Sequence, residues 1–230
     1  MNLFLLIALA VAPCLAVGLF VYLKDKYEKE PLKLLAALFA YGFLVTIPVA
    51  IIQNILYRFG FGVSELLSPV AAKAFVSAGL VEEGGKLAVL MAFVYRSADF
   101  NEPFDGIVYA VMISMGFATA ENLLYVIEGG FSVGLVRIFT AIPAHASFGV
   151  VMGFYVGRSK FTAPKILFIA AGYAGAVLLH GAYDFFLMMG EYPFLAIGGF
   201  FSLALGIVLS FNAMRASNKL SPFRKEVTDS

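Results

Sequence analysis

Residues 74–95 read AFVSAGLVEEGGKLAVLMAFVY, an apolar run long enough to cross a bilayer that nevertheless contains Glu82, Glu83 and Lys86. Ionisable groups inside a bilayer are costly unless they pair with one another or face water, so they mark functional sites by default. This stretch therefore predicts a membrane helix and, within it, part of a buried polar site.

The composition of the whole chain agrees with a membrane protein. Hydrophobic residues fill 61% of the 230 positions and charged residues only 13%, against about 25% charged residues in soluble domains. We therefore predict a multi-pass protein of the cell membrane, surrounded by lipid. The net charge of +1 and the lack of a basic stripe argue against a nucleic-acid partner. Cys14 stands alone, which excludes an internal disulfide and a cysteine-based zinc site.

The fold class follows from the apolar runs. We predict an all-α, polytopic membrane helical bundle with about seven transmembrane helices, since runs of at least about 18 apolar residues can span a bilayer. The bundle forms a single domain over 1–214, and a short basic cytoplasmic tail follows at 215–230. The predicted spans are 3–23, 34–57, 74–95, 105–127, 131–157, 165–189 and 193–214.

The orientation follows from the distribution of basic residues between the two sides. Twelve Lys and Arg residues fall on one side of the predicted bundle and two, Arg58 and Lys73, on the other. Because cytoplasmic loops carry the excess of Lys and Arg, we place the N-terminus outside and the C-terminus in the cytoplasm.

The same topology places several polar residues at a common depth. Counting 1.5 Å per residue, Glu82, Glu121 and His180 lie at about 9–14 Å from the outer surface. His145 falls near the middle of its predicted helix. Four helices thus contribute acid or imidazole groups to one layer, which favours a single site over scattered structural residues.

Spacing within single helices predicts two pairs. Lys86 follows Glu82 by four residues and Glu83 by three, so it can neutralise either carboxylate. The ordinary explanation is a buried ion pair that fixes helix packing, but two glutamates with one lysine leave a carboxylate free to act on water. Asp184 follows His180 by four residues and can orient its ring or support a metal ligand.

The remaining polar residues are less distinctive. Pro143 precedes His145 by two residues and should kink that helix, which favours a functional histidine. Asn122 could donate a hydrogen bond to a developing oxyanion or could cross-link helices. Arg137 lies near the predicted outer surface, where its side chain would ordinarily reach water.

Two chemistries fit this set of side chains. In the first, Glu121, His145 and His180 bind a metal ion such as Zn²⁺, and another glutamate acts as general base. In the second, a glutamate activates water directly and the imidazoles stabilise the oxyanion without metal. The predicted catalytic residues are Glu82, Glu83, Glu121, His145, His180 and Asp184, with Lys86 and Asn122 in support.

Several stretches resemble one known family. The chain is similar to the PrsW family of intramembrane proteases, a branch of the superfamily that includes the CAAX prenyl proteases. The resemblance covers most of the chain, and its motifs are DKYEKEP at 25–31, EEGGK at 82–86, NEPFDG at 101–106, GFATAEN at 116–122, His145 with Gly149, and HGAYDF at 180–185.

The resemblance implies a membrane-embedded endopeptidase. The family's best-known role is the first cut in an anti-sigma factor on the extracytoplasmic side, within a stress-response cascade, so the implied partner is a single-pass membrane protein. It further implies that Glu82, Glu83, His145 and His180 are essential. Glu121 stands where the prenyl proteases have histidine.

Other interpretations predict different patterns. A proton- or cation-coupled transporter would place polar residues along a path through both leaflets, often with an inverted repeat, and neither pattern is visible. A non-catalytic membrane binding protein of the same family would not need intact acid and base positions. For the 25–31 and 101–106 segments we favour interfacial helix capping over a regulatory docking surface.

Overall fold

The structure is a computed structural model that describes residues 3–60, 67–189 and 192–224. All regular secondary structure within these ranges is helical, as predicted. The α-helices are α1 (Leu3–Lys24), α2 (Leu32–Leu44), α3 (Thr46–Arg58), α4 (Leu67–Ala71), α5 (Val81–Phe93), α6 (Asp105–Phe139), α7 (Ala141–Phe161), α8 (Lys165–Met188) and α9 (Ala196–Leu220). A π-helix (Ala72–Leu80) joins α4 to α5, and a 3₁₀ turn (Pro193–Leu195) precedes α9.

Five helical stretches in the described part of the chain are long and apolar enough to cross a membrane. They are Leu3–Lys24, Leu32–Arg58, Asp105–Phe161, Lys165–Met188 and Ala196–Leu220. Residues 74–95, which contain Glu82, Glu83 and Lys86, are not among them. The predicted number of about seven spans and the orientation of the termini stay predictions.

The stretch from Asp105 to Phe161 folds into a hairpin. Helix α6 reverses at Gly130, whose φ of 73° lies in a region that favours glycine. Residues 131–139 then run back alongside the residues that precede Gly130, so that Arg137 contacts Asn122. Helix α7 continues in that direction and runs antiparallel to the first part of α6, where Ser114 bonds the carbonyl oxygen of His145. The predicted division into 105–127 and 131–157 corresponds to this reversal.

Helix α6 is the centre of the bundle. Nearly every side chain from Asp105 to Ala120 is buried, because α1, α2, α5 and α7 pack around it. Close approach to α7 depends on small residues, since a Cβ on Gly106 would lie 2.6 Å from the Cα of Gly157. The outer helices expose large apolar side chains such as Leu19 and Phe201, as expected of surfaces that face lipid.

Helix α9 extends past the predicted end of the bundle at 214. It runs to Leu220, so Arg215 and Lys219 belong to its last turns. Long basic side chains suit the end of a membrane helix because their charged groups can reach water. The last six residues of the predicted tail, 225–230, lie outside the described residues.

Candidate active site

Four helices bring the predicted polar residues together. Helix α5 contributes Glu82, Glu83 and Lys86, and helix α8 contributes His180 with Asp184. Glu121 and Asn122 come from α6, and His145 comes from α7. The predicted convergence in one layer is therefore present in the fold, although the catalytic role of each residue stays a prediction.

Glu83 and Lys86 form the buried base of this group. The Oε1 atom of Glu83 accepts hydrogen bonds from Lys86 Nζ at 2.7 Å and from His180 Nδ1 at 2.8 Å. Lys86 Nζ also lies 3.1 Å from His145 Nδ1 and 4.3 Å from the centre of the Phe117 ring. One buried ion pair thus contacts both histidines, and each charge has the partner that burial requires.

The contacts of His145 define its tautomer. An ammonium group only donates hydrogen bonds, so His145 Nδ1 accepts from Lys86 and its hydrogen lies on Nε2. Nε2 then donates to Glu121 Oε2 at 2.8 Å.

The helix that carries His145 is interrupted slightly before the predicted position near Pro143. The break lies at Thr140 (φ −122°, ψ −78°), and α7 begins at Ala141. His145 therefore lies near a helix start and not in mid-helix, where Pro143 is compatible with the first turn.

His180 is held from several sides. Its Nδ1 atom bonds Glu83, while Nε2 lies 3.5 Å from Asp184 Oδ2 and 3.8 Å from Glu82 Oε2. The ring stacks on Phe148 with a centroid distance of 4.9 Å. The predicted contact between His180 and Asp184, four residues apart, is confirmed.

The two carboxylate oxygens of Glu82 differ in their hydrogen bonding. Gln53 Nε2 donates to Glu82 Oε1 at 3.0 Å and also to the carbonyl oxygen of Ser77 in the π-helix. The buried Oε2 atom of Glu82 accepts no hydrogen bond from the described residues. A buried carboxylate oxygen without a donor is expected where a cation or a water molecule would bind.

Glu82, His145 and His180 form a group of possible metal ligands in this site. One ligand atom from each lies within 4.8 Å of the others. Two imidazoles and a carboxylate are the protein ligands of many catalytic zinc sites, so this trio fits a catalytic metal ion. It differs from the predicted trio in one member, because Glu121 bonds His145 and pairs with Arg137 Nη2 at 3.4 Å.

The sequence did not predict that two further residues, Arg137 and Gln53, belong to the site. Arg137 does not reach outward to water but lies over the Tyr125 ring and bonds Asn122 Oδ1 at 2.5 Å as well as pairing with Glu121. Gln53 drew no prediction. The available signal was the same for both, namely a polar side chain inside an apolar run. The buried Asn122 also contacts Cys14, which agrees with the helix cross-linking alternative.

Some of the polar residues line a cavity of about 550 Å³, and the others do not. Its lining includes Gln53, Glu82, Glu121, Arg137, His145, His180 and Asp184. Glu83, Lys86 and Asn122 do not line it and lie behind its wall. A volume in this range is typical of ligand sites.

Comparison with known proteins identifies relatives over most of the chain. The profile of the family described as PrsW family intramembrane metalloprotease matches residues 30–214. A protein named protease PrsW from Geobacillus kaustophilus is 41% identical over 189 residues, which cover 82% of both chains. The protease PrsW of Bacillus subtilis is 38% identical over 80% of this chain and 83% of its own. The protease PrsW of Clostridioides difficile is 36% identical over 80% of this chain and 79% of its own. No solved structure gives a significant match.

Proposed function

Because the chain belongs to the PrsW family of intramembrane metalloproteases and is a multi-pass membrane protease, we propose that its polar cavity is where the peptide bond is cut. The observation that carries this proposal is the grouping of Glu82, His145 and His180 beside Glu121 on one cavity wall. The substrate is a membrane-anchored protein whose chain enters the cavity in an unfolded form.

The metal ligands in this proposal are Glu82, His145 and His180, with Zn²⁺ as the ion. Binding would require one ring nitrogen of His145 to exchange its present contact with Lys86 or Glu121 for the metal. We choose Glu82 over Glu121 because its Oε2 atom is buried without a donor and lies 3.8 Å from His180 Nε2. A zinc ion bound at such a site lowers the pKa of a water molecule and polarises the carbonyl of the peptide.

Glu121 is the general base in this proposal. Its carboxylate faces the cavity, where Arg137 and His145 hold it in place. It accepts a proton from the attacking water while the water oxygen bonds the peptide carbonyl carbon. When the carbon–nitrogen bond breaks, the same carboxyl group returns the proton to the leaving amine, and Glu121 is a carboxylate again.

Glu83 and Lys86 position the histidines and do not contact substrate. Glu83 binds the Nδ1–H of His180, which leaves Nε2 directed toward Glu82 and Asp184. A carboxylate on the far nitrogen of a histidine ligand fixes the ring and makes it more basic. Lys86 compensates the charge of Glu83 in a place that water does not reach.

The cut falls near the extracytoplasmic face in this proposal. Glu121 lies 16 residues along α6 from Asp105, or about 24 Å at 1.5 Å per residue. The lysine- and arginine-rich loops belong to the Asp105 end, and that end is predicted to be cytoplasmic. A single-pass protein such as an anti-sigma factor would then be cut at the outer part of its membrane segment, as the first step of its degradation.

The test is mass spectrometry of new peptide ends in membranes that contain the protein, compared with its His180→Ala and Glu121→Gln variants. We expect ends near the outer boundary of a single-pass protein, absent with His180→Ala and reduced about 10²–10⁴-fold with Glu121→Gln. Glu128→Gln is the matched control, because this exposed glutamate lies two turns beyond Glu121 on the same helix.

Two outcomes would count against the proposal in different ways. Unchanged peptide ends with both variants would remove the cavity as the site of cleavage. Ends on the cytoplasmic side, lost with both variants, would keep the site and overturn the proposed location of the cut.

A further inference from the structure

A second group of buried acids lies at the other end of the bundle. Asp25 follows α1, Glu30 precedes α2, and Glu102 and Asp105 mark the start of α6. Their exposed fractions are 1%, 3%, 0% and 0%. These residues belong to the 25–31 and 101–106 segments, for which the sequence favoured interfacial helix capping. Capping alone does not explain four buried carboxyl groups.

Only part of this acidic cluster is hydrogen-bonded. Asp105 Oδ2 accepts from the backbone N–H groups of Asn101 and Glu102 at 2.7 and 2.8 Å. These donors belong to the loop before α6, and no side chain caps the helix start at Phe104. The Tyr109 hydroxyl donates to Glu30 Oε2. The Oδ1 atom of Asp105 and both carboxylate oxygens of Asp25 and of Glu102 accept no hydrogen bond from the described residues.

The nearest lysine does not supply the missing contact. The Lys29 ammonium donates to the backbone carbonyl oxygens of Tyr22 and Asp25, and it lies 5.0 Å from the centre of the Tyr22 ring. Its hydrogen bonds therefore go to carbonyl groups and not to the buried carboxylates.

We propose that Asp25, Glu102 and Asp105 form a binding site for a hard divalent cation, Ca²⁺ or Mg²⁺. One carboxylate oxygen from each residue lies within 4.8 Å of the others. Ligand oxygens around Ca²⁺ lie at about 2.3–2.6 Å and those around Mg²⁺ at about 2.0–2.1 Å, so a small shift brings all three onto one ion. The absence of nitrogen and sulfur from this ligand set distinguishes it from the zinc-type trio on the cavity wall.

The electrostatics of the acidic cluster support a bound positive charge. Four carboxyl groups are buried together, and the charges of Asp25 and Glu102 repel each other. The folded chain by itself therefore stabilises these negative charges poorly, and a divalent cation would compensate them.

The ion would join segments that are distant in sequence. Asp25 and Glu102 are 77 residues apart, and they connect the α1–α2 loop to the α5–α6 loop. The bound ion would hold the start of the central helix α6 against the end of α1. Its role would be to stabilise the bundle, and it would take no part in peptide cleavage.

The test measures thermal unfolding of the full chain in detergent, after chelation and dialysis, with added Ca²⁺ or Mg²⁺. Cys14 is the only cysteine and is fully buried, so a thiol-reactive dye reports unfolding. We expect a midpoint rise of about 5 °C at a hundredfold excess over Kd. The rise should disappear in Asp25→Asn and in Glu102→Gln and persist in Asp99→Asn, whose exposed carboxylate bonds Ser97 in the same loop. The cation that gives the larger rise identifies the natural ligand.

A second measurement does not depend on unfolding. Elemental analysis after equilibrium dialysis should find one more equivalent of the cation in the unaltered chain than in Glu102→Gln. Equal metal content, no rise with either cation at millimolar concentration, or a rise that both variants retain would each overturn the proposal and leave protonated carboxyl groups as the explanation.

Discussion

Lys86 contacts side chains from three different helices of the site. Its ammonium group touches the Glu83 carboxylate, the His145 ring and the face of Phe117, all of them buried. Removing one member of a buried ion pair leaves an uncompensated charge, which is more costly than removing both. Its role can therefore be separated into a contribution to stability and a contribution to cleavage.

Lys86→Met should destabilise the protein by about 3–5 kcal/mol and also slow cleavage, because Glu83 loses its charge partner and His145 its donor. Thermal unfolding followed through Cys14 and cleavage of a substrate measure the two effects. The double variant Glu83→Gln/Lys86→Met should recover much of the stability but not the cleavage. A stable, fully active Lys86→Met protein would contradict this account.

At the scale of single residues, the sequence predicted contacts within one helix better than contacts between segments that are distant in sequence. The helical spacing predicts the contact of His180 with Asp184, and it restricts the partner of Lys86 to Glu82 or Glu83, of which the structure pairs Glu83. No such rule connects Arg137 with Glu121, because their pairing depends on a chain reversal between them. The three-residue metal group likewise depends on how α5, α7 and α8 pack, which spacing along one helix does not determine.

Among the elements, the reversal at Gly130 matters most for the site. It returns residues 131–139 along α6, so that Arg137 reaches Glu121 and Asn122. The sequence predicted a break here from two apolar runs, but not the direction in which the second run leaves. The π-helix from Ala72 to Leu80 was not predicted either, since its widened turns leave no mark in apolar periodicity.

Gly130→Ala should cost roughly 1–2 kcal/mol, because alanine disfavours a backbone with φ of 73°. It should also reduce cleavage, since a shifted reversal moves Arg137 away from Glu121. The same unfolding and cleavage measurements apply, with Ser132→Ala as the control at a neighbouring exposed position. Unchanged stability and rate would show that the reversal tolerates other backbone geometry.

At the scale of the whole molecule, composition and Lys/Arg placement predicted a helical membrane bundle and a site in one layer. They did not predict the buried acidic cluster, because 25–31 and 101–106 look like polar loops when each is taken alone. Burial arises only when the end of α1 and the start of α6 pack together. The orientation of the bundle is still to be measured.

Cysteine labelling of intact cells should reveal that orientation. Glu128 and Asp99 are both exposed and lie at opposite ends of α6 or its preceding loop. In a Glu128→Cys chain the new thiol should react with a membrane-impermeant maleimide, whereas in Asp99→Cys it should react only after the cells are opened. Buried Cys14 provides the unlabelled background. The reverse pattern would invert the bundle and place the cavity near the cytoplasm.

The pairing of Glu83 with Lys86 also bears on how the chain enters the membrane during synthesis. These two residues are three apart and meet as soon as α5 becomes helical, whereas His145 follows Lys86 by 59 residues and His180 follows Glu83 by 97. Helix α5 can thus leave the ribosome with two of its three charges already cancelled. Glu82 has only the neutral Gln53 as a partner made before it, so its charge should remain uncompensated until His180 follows. We therefore expect α5 to remain in a polar environment until α8 has been made.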